Sequence, residues 1–502
     1  MSQTQTPASR ARAAEGSTAA ATGGGRRWWV LAVVGIAQLM VVLDGTIVNI
    51  ALPSAQHALG FSNADRQWIV TAYALAFGSL LLLGGRLADL FGRKIVFLVG
   101  VGGFAAASAL AGAAGDFTML VSGRALQGFF GALLAPAALS LLNTTFTDAK
   151  ERAKAFGIYG AIAGAGGGIG LLLGGLLTEH LNWRWTLFVN LFFAALALAG
   201  GLAFLRKGAP AERPKLDIPG TVLVSAGLFG LVYGFSNAES HSWGSPQTWG
   251  FLVAGVLLIA VFGWWQTRAE HPLLPLRVLL DRNRGASFLA TAITGAGMFG
   301  VFLFLTYYLQ ETLHYSPVQT GLGFLPMIGA LMVAAQLATL WLLPRIGPRP
   351  LVPTGMALAA GAMVWLTGLG LNSSYATSVL PPLLVMGFGL GLIMPVTMSL
   401  ATDRIGEQDA GVASAAVNTM QQIGGSIGTA LLNTLATSAG THYLVGKGVP
   451  TPELLAKAQL HSYSTAYWWS AGFFAVGLVL SLLLYRRGRI QQDANAPVAV
   501  HM

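Results

Sequence analysis

Fourteen stretches of the chain are each apolar enough, over about 20 residues, to cross the ~30 Å hydrocarbon core of a bilayer as a helix. They lie near 28–51, 67–88, 95–114, 117–142, 154–178, 185–205, 219–237, 248–267, 286–310, 319–343, 350–371, 378–401, 410–436 and 464–485. In hydrocarbon, backbone N–H and C=O groups must be paired inside the protein, so runs of this kind predict an all-α membrane protein. Composition agrees. Only 10% of the 502 residues are charged and 54% are hydrophobic, where a soluble domain carries about 25% charged residues. The absence of cysteine removes disulfides, thiolate metal sites and Cys nucleophiles from consideration.

An even number of spans puts both termini on one side, and the distribution of Lys and Arg says which. With a cytoplasmic start, the outer loops hold Arg66, Arg184, Lys447 and Lys457, Arg124 lies within a run, and the other 24 of the 29 cations fall inside. The expected location is the plasma membrane, multi-pass, with both ends cytoplasmic. The net charge of +10 is spread through short loops between apolar runs, not gathered on one wet face, which argues against a nucleic-acid partner.

Residues 1–27, rich in Ala, Gly, Ser and Thr with scattered Arg, read as a disordered cytoplasmic tail, and 486–502 as a second tail. The longer inner loops, 206–218 and 268–285, set two helices apart, so the expected domains are a six-helix bundle over 28–205, a two-helix insertion over 206–285 and a second bundle over 286–485. A faint repeat relates the bundles. Gly166-Gly167-Gly168-Ile169-Gly170 in the fifth run matches Gly424-Gly425-Ser426-Ile427-Gly428 in the thirteenth, and the turn at Gly92-Arg93-Lys94 matches Gly347-Pro348-Arg349. Parallel repeats of this kind build transporters.

Asp44 is the sharpest chemical feature. A carboxylate at membrane depth costs several kcal/mol unless it is paired, hydrated or protonated, and such residues mark proton and substrate paths. Arg124, inside the fourth run at similar depth, is its expected partner, and Gln127, Gly128 and Gly131 extend the same polar, small-residue face. Competition among a proton, Arg124 and cargo for Asp44 would couple transport to the proton gradient. Small-xxx-small spacing in the fifth run, at Gly160, Gly164, Gly168, Gly170, Gly174 and Gly175, predicts close helix approach. Catalysis is not expected. Gly424–Gly428 spells a nucleophile elbow but sits inside an apolar helix, the eight His are scattered, and a GxxxxGK[ST] phosphate loop is absent. Neither a metal nor another cofactor is expected, and a proton gradient remains as the energy source.

Leu43-Asp44-x-Thr46-Ile47-Val48-Asn49-x-Ala51-Leu52-Pro53, the stretch Gly85–Lys94, Arg124-x-x-Gln127-Gly128, the glycine run of helix five and Tyr308–Pro326 together resemble the fourteen-helix drug:proton antiporters of the EmrB/QacA type, within the major facilitator superfamily. The resemblance implies two six-helix bundles plus two inserted helices. It implies Asp44 and Arg124 in proton coupling, and Gly85, Asp89, Gly92, Arg93 and Lys94 as an inner gating motif. Gly164, Gly168, Gly170, Gly174 and Gly175 would form the antiporter-motif helix. Gln38, Asn49, Gln127, Phe299, Phe302, Tyr307, Met394, Thr397 and Gln421 would line a central substrate cavity. Two positions depart from the family pattern, Leu171 and Phe192, where Pro is usual. The function implied is proton-coupled efflux of drugs, antibiotics or related hydrophobic molecules. The alternatives are a dedicated cargo such as a lipid or small metabolite on the same fold, and a sensor that transports nothing.

Overall fold

The computed structural model describes the backbone of residues 7–146, 148–205, 217–241, 243–274, 280–401, 407–447, 449 and 451–486; within these, side chains are not described at 7–25, 82, 89, 149, 150, 153, 163, 164, 236, 238–241, 299 and 407–415. Among the described residues the chain forms fourteen long helical rods. They are α1 (Pro7–Leu59), α2 (Gln67–Phe91), α3 (Arg93–Gly112), α4 (Phe117–Thr145), α5 (Ala149–His180), α6 (Trp185–Phe204), α7 (Ile218–His241) and α8 (Pro246–Gln266). Then follow α9 (Arg282–Thr312), α10 (Pro317–Ile346), α11 (Pro348–Leu366), α12 (Tyr375–Ala401), α13 (Glu407–Leu444) and α14 (Pro452–Leu484). Eleven of them are long and apolar enough to cross a membrane by length and composition. A single π-helical turn ends α9 at Tyr308–Thr312, another interrupts α10 at Ala338–Leu342, and a third opens α12 at Tyr375–Val379.

The backbone of α1 differs from expectation at both ends. It is helical from Pro7, where a disordered tail was predicted, and the alanines of that segment have the highest helix propensity of any residue. It also continues past Pro53 to Leu59, beyond the apolar run that predicted its end near residue 51. Residues 206–216 and 487–502 lie outside the described residues.

The repeat suggested by glycine spacing reappears as geometry. In the first six helices the packed pairs are α1·α5, α1·α6, α2·α4, α3·α4 and α3·α6, and the last six repeat them as α9·α13, α9·α14, α10·α12, α11·α12 and α11·α14. The turns matched in sequence also match in backbone. Gly92 (φ +92°) and Gly347 (φ +75°) each stand in the positive-φ region that glycine alone enters without cost, letting α2 turn into α3 and α10 into α11.

The two halves meet along α2·α13 and α5·α10, pairs related by the same internal symmetry. The inserted α7 and α8 pack on each other, and α7 lies across the α2–α13 seam, where Leu228 and Val232 bury against Leu75 and Ala430. Exposed Trp29, Trp264 and Trp341 ring the end of the bundle that holds most of the Lys and Arg, named the inner end for the orientation expected from those charges, while Trp185 and Trp249 stand at the other, named the outer end. Amphipathic rings of this kind prefer the two membrane–water interfaces. The hydrogen bonds described between the halves gather at the outer end. Tyr307 Oη donates to Gln56 Oε1, Gln310 Nε2 to the Ile50 carbonyl, and the Val318 amide to Glu179 Oε2, while His57 and Glu311 pair at 2.9 Å. The outer end is closed.

Candidate functional site

Asp44 is fully buried, between α1, α4 and α6, and Arg124 is only 2% exposed beside it. Helical phase brings the partners together. Arg124 and Gln127 are three residues apart on α4 and so share one face, and Gly128 on that face lets α4 meet the α2 backbone at Tyr73. Arg124 Nη1 donates to Asp44 Oδ2 at 2.6 Å and to Gln127 Oε1 at 2.8 Å, while its Nε donates to the Ile69 carbonyl at 3.0 Å. The guanidinium also lies 4.5 Å from the centre of the Tyr73 ring, a cation–π contact.

The second carboxylate oxygen, Oδ1, accepts from Gln127 Nε2 at 2.9 Å and from Asn190 Nδ2 of α6 at 2.7 Å. Both amides also donate to Ser108 Oγ of α3, at 2.7 and 3.3 Å. Three side chains, Arg124 and Gln127 of α4 and Asn190 of α6, thus surround one buried negative charge with donors, and Ser108 of α3 steadies the two amides; donors are what a carboxylate without water needs. Asn190 Oδ1 is the exception. It is buried with no hydrogen-bond partner among the described residues. A void of about 10 Å³, room for about one water, adjoins Arg124 and is lined mainly by Val48, Ala51, Leu52, Leu120 and Leu187. The pair foreseen from sequence is therefore in contact, whereas Asn190 and Ser108 were not foreseen. A lone Asn in a strongly apolar helix is the signal that marks Asn190.

The glycines of α5 face two ways. A Cβ at Gly170 or Gly174 would run into the α1 backbone at Leu43 or Ile47. One at Gly175 would meet the Pro317 carbonyl of α10 at 2.6 Å, and Gly168 faces Ile328 and Leu325 of the same helix. Gly164 lies outside the described side chains. With Leu171 in place of the usual Pro, α5 runs unbroken from Ala149 to His180, and Phe192 is exposed on α6.

The inner gating stretch packs against neighbouring helices at several points. Gly85 lies against Pro136, Lys94 Nζ donates to the Leu205 carbonyl at the end of α6, and Arg86 reaches the Pro272 carbonyl at 3.4 Å. The Asp89 side chain of this motif lies outside the described residues.

The residues proposed to line a cavity stand in different surroundings. Gln127 belongs to the Asp44 network, because its spacing from Arg124 turns it into the first bundle. Asn49 is buried and donates to the Gly45 carbonyl of its own helix, and Thr397 Oγ1 bonds the Met394 carbonyl. Phe302 packs on Phe324 with ring centres 5.2 Å apart, and Tyr307 is part of the outer closure. Gln38, which accepts from Tyr159 Oη, and Met394 and Gln421 are half-buried. Phe299 lies outside the described side chains.

A second buried carboxylate escaped the sequence reading. Asp217 precedes α7 and is 8% exposed. It accepts from Trp265 Nε1 and Gln266 Nε2 at 2.7 Å, and from the amides of Gly220 and Leu273 at 2.9 and 3.3 Å. Burial alone would raise this carboxyl, but the four donors outweigh it and hold Asp217 below the ordinary carboxylate range. The knot ties α7 to α8 and to the strap at Leu273-Leu274, whose side chains bury against Phe288, Ala401 and Val417.

Comparison with known proteins fits this architecture. The chain is 49% identical over 461 residues to the puromycin resistance protein pur8 of Streptomyces alboniger, covering 91% of each chain. It is 38% identical over 413 residues to the cephamycin export protein CmcT of Amycolatopsis lactamdurans, covering 81% of this chain and 84% of that one. Among solved structures it superposes on the POT family transporter PepTSo with a TM-score of 0.68 at 14% identity, over 91% of this chain and 97% of that one; this likeness speaks for the fold alone. The family model described as Major Facilitator Superfamily matches residues 34–429. The chain belongs to the major facilitator superfamily.

Proposed function

We propose that this multi-pass membrane protein exports hydrophobic or amphiphilic drug- or antibiotic-like molecules from the cell in exchange for protons. The observation that carries the reading is the Asp44–Arg124 pair, an ionisable couple buried in a bundle otherwise built from apolar and small residues. Buried ionisable groups at membrane depth are costly, and proton relays and substrate paths are where they occur. The relatives named for puromycin resistance and cephamycin export support the cargo class. The excess of Lys and Arg at one end supports cytoplasmic termini.

In the outer-closed arrangement both Asp44 oxygens are occupied, Oδ2 by Arg124 and Oδ1 by Gln127 and Asn190. A proton arriving on Asp44 cancels its charge and turns one oxygen from acceptor into donor, which weakens the hold of Arg124 and calls for a new acceptor nearby. The unpartnered Asn190 Oδ1 stands next to it, and an amide flip would let that oxygen accept the new O–H. Arg124, which keeps its charge, then loses its counter-ion and turns to other acceptors. This links protonation to the packing of α1 against α4 and α6.

The reading is tested by efflux of puromycin and ethidium from energised cells lacking their own pumps. Export by the wild type should collapse with a protonophore and should be lost in Asp44→Asn at equal expression. Export that survives both treatments would overturn proton coupling through this residue.

A further inference from the structure

Arg66, in the turn before α2, is a cation of the first bundle that enters the second. It is 3% exposed, and Nε donates to Asn433 Oδ1 of α13 at 3.0 Å. Its guanidinium carbon lies 4.3 Å from the centre of the Tyr307 ring and 5.3 Å from that of Phe304, both on α9. The Tyr463 ring of α14 closes the group, 6.4 Å from Phe304 and, edge-on, 6.4 Å from Tyr308. Asn433 Nδ2 returns the contact to the carbonyls of Asn63 and Ala64. Arg66 is thus held by ring faces, by an amide oxygen and by the hydroxyls of Tyr307 and Tyr463, groups that also recognise an organic cation.

Arg66 belongs to one half, whereas Phe304, Tyr307, Tyr463 and Asn433 belong to the other. When the halves part at the outer end, Arg66 leaves with its own half and the aromatic cage stays behind, open to the outer side. We propose that this cage is an exit-side binding site for singly charged aromatic or ammonium cargo, and that Arg66 is its resident occupant whenever the outer end is closed. Reclosure then puts the guanidinium back and displaces the cargo outward, which opposes rebinding. Glu311, near the cage and paired with His57 at the outer rim, adds a negative potential that favours a cation at this depth.

The proposal rests on the export reading, and its test is separable from it. Binding of ethidium, a cation, and N-phenylnaphthylamine, a neutral dye, is measured on purified wild type, Arg66→Ala, Arg66→Gln and Arg66→Ala/Tyr307→Leu, each checked for a monodisperse fold. A site filled by its own arginine more than nine-tenths of the time shows an apparent affinity reduced by roughly tenfold. Removing the Arg66 charge should therefore tighten ethidium binding about tenfold in whichever single variant folds, leave the neutral dye unchanged, and lose the gain when Tyr307 is also removed. Equal changes for both dyes, or a gain that survives Tyr307→Leu, would mean that Arg66 is a gate contact only and would overturn the cage. Loss of proton-driven efflux in cells would instead overturn the export reading and leave this ratio unaffected.

Discussion

Replacing Arg124 by Leu removes the counter-charge of Asp44 and leaves the carboxylate with two amide donors. Atoms 2.6 Å apart place the charge centres roughly 4 Å apart, where the attraction is about 4 kcal/mol at an effective dielectric of 20. Breaking a buried pair by removing one partner costs about 3–5 kcal/mol by experience with soluble proteins, so the two figures agree. The single variant also loses the Ile69 carbonyl bond and the stack on Tyr73, but these vanish equally when Asp44 is changed as well. A double-mutant cycle with Asp44→Asn and Arg124→Leu therefore isolates the pair. Unfolding free energies in mixed micelles, followed by helical circular dichroism as denaturing detergent is added, should show the double variant less destabilised than the summed singles by more than about 2 kcal/mol. Additive losses, or an Arg124→Leu loss below about 1 kcal/mol, would refute the reasoning, since a pair this buried cannot then be a mutual requirement.

Three further outcomes follow from other contacts. Asn190→Leu strips one donor from Asp44 Oδ1 and should lower stability by about 1–3 kcal/mol; it should also move the pH at which efflux is half-maximal, whereas a purely structural Asn would change efflux at all pH values alike. Gly175→Leu places a side chain against the Pro317 carbonyl and Val318 Cα, so it should wedge α5 from α10 and raise labelling of Ala64→Cys by an impermeant maleimide, read cleanly because the chain has no other cysteine. Unchanged labelling would contradict the outer closure. Asp217 is held below its ordinary range, so its contribution is complete above about pH 4 and fades as pH falls through the lowered value; Asp217→Asn should cost about 1.5–3 kcal/mol at pH 7.5 and progressively less in acid, and a cost independent of pH would contradict the knot.

The rods were legible from sequence because hydrocarbon leaves a chain no other way to pair its backbone. Asp44 and Arg124 stood out because charge inside an apolar run has to be accounted for. Ser108 was silent, since serine in an Ala-rich helix is unremarkable until another helix brings Asn190 and Gln127 to it. The surroundings of the residues proposed for a cavity were hard to read for a related reason. A helix turns about 100° per residue, and without knowing its neighbours the face that Gln127 or Tyr307 presents cannot be read from apolar composition. Arg66 counted in sequence only as an outer-loop cation. The rings that hold it, Phe304 and Tyr307, share a face by their i, i+3 spacing, but they lie in the other half of the chain. The end of α1 was placed too early because apolarity marks the hydrocarbon boundary, whereas the helix continues past it to Leu59.

The most direct test of the account is the proton itself. Purified protein in a weakly buffered, dye-monitored solution is mixed with puromycin or ethidium, and the protons released on binding are counted. At a pH low enough for Asp44 to hold a proton in place of its pair with Arg124, exchange through Asp44 predicts proton release on ligand binding by the wild type, and none by Asp44→Asn even where that variant still binds the ligand. The same release from Asp44→Asn would place proton coupling elsewhere and contradict the account.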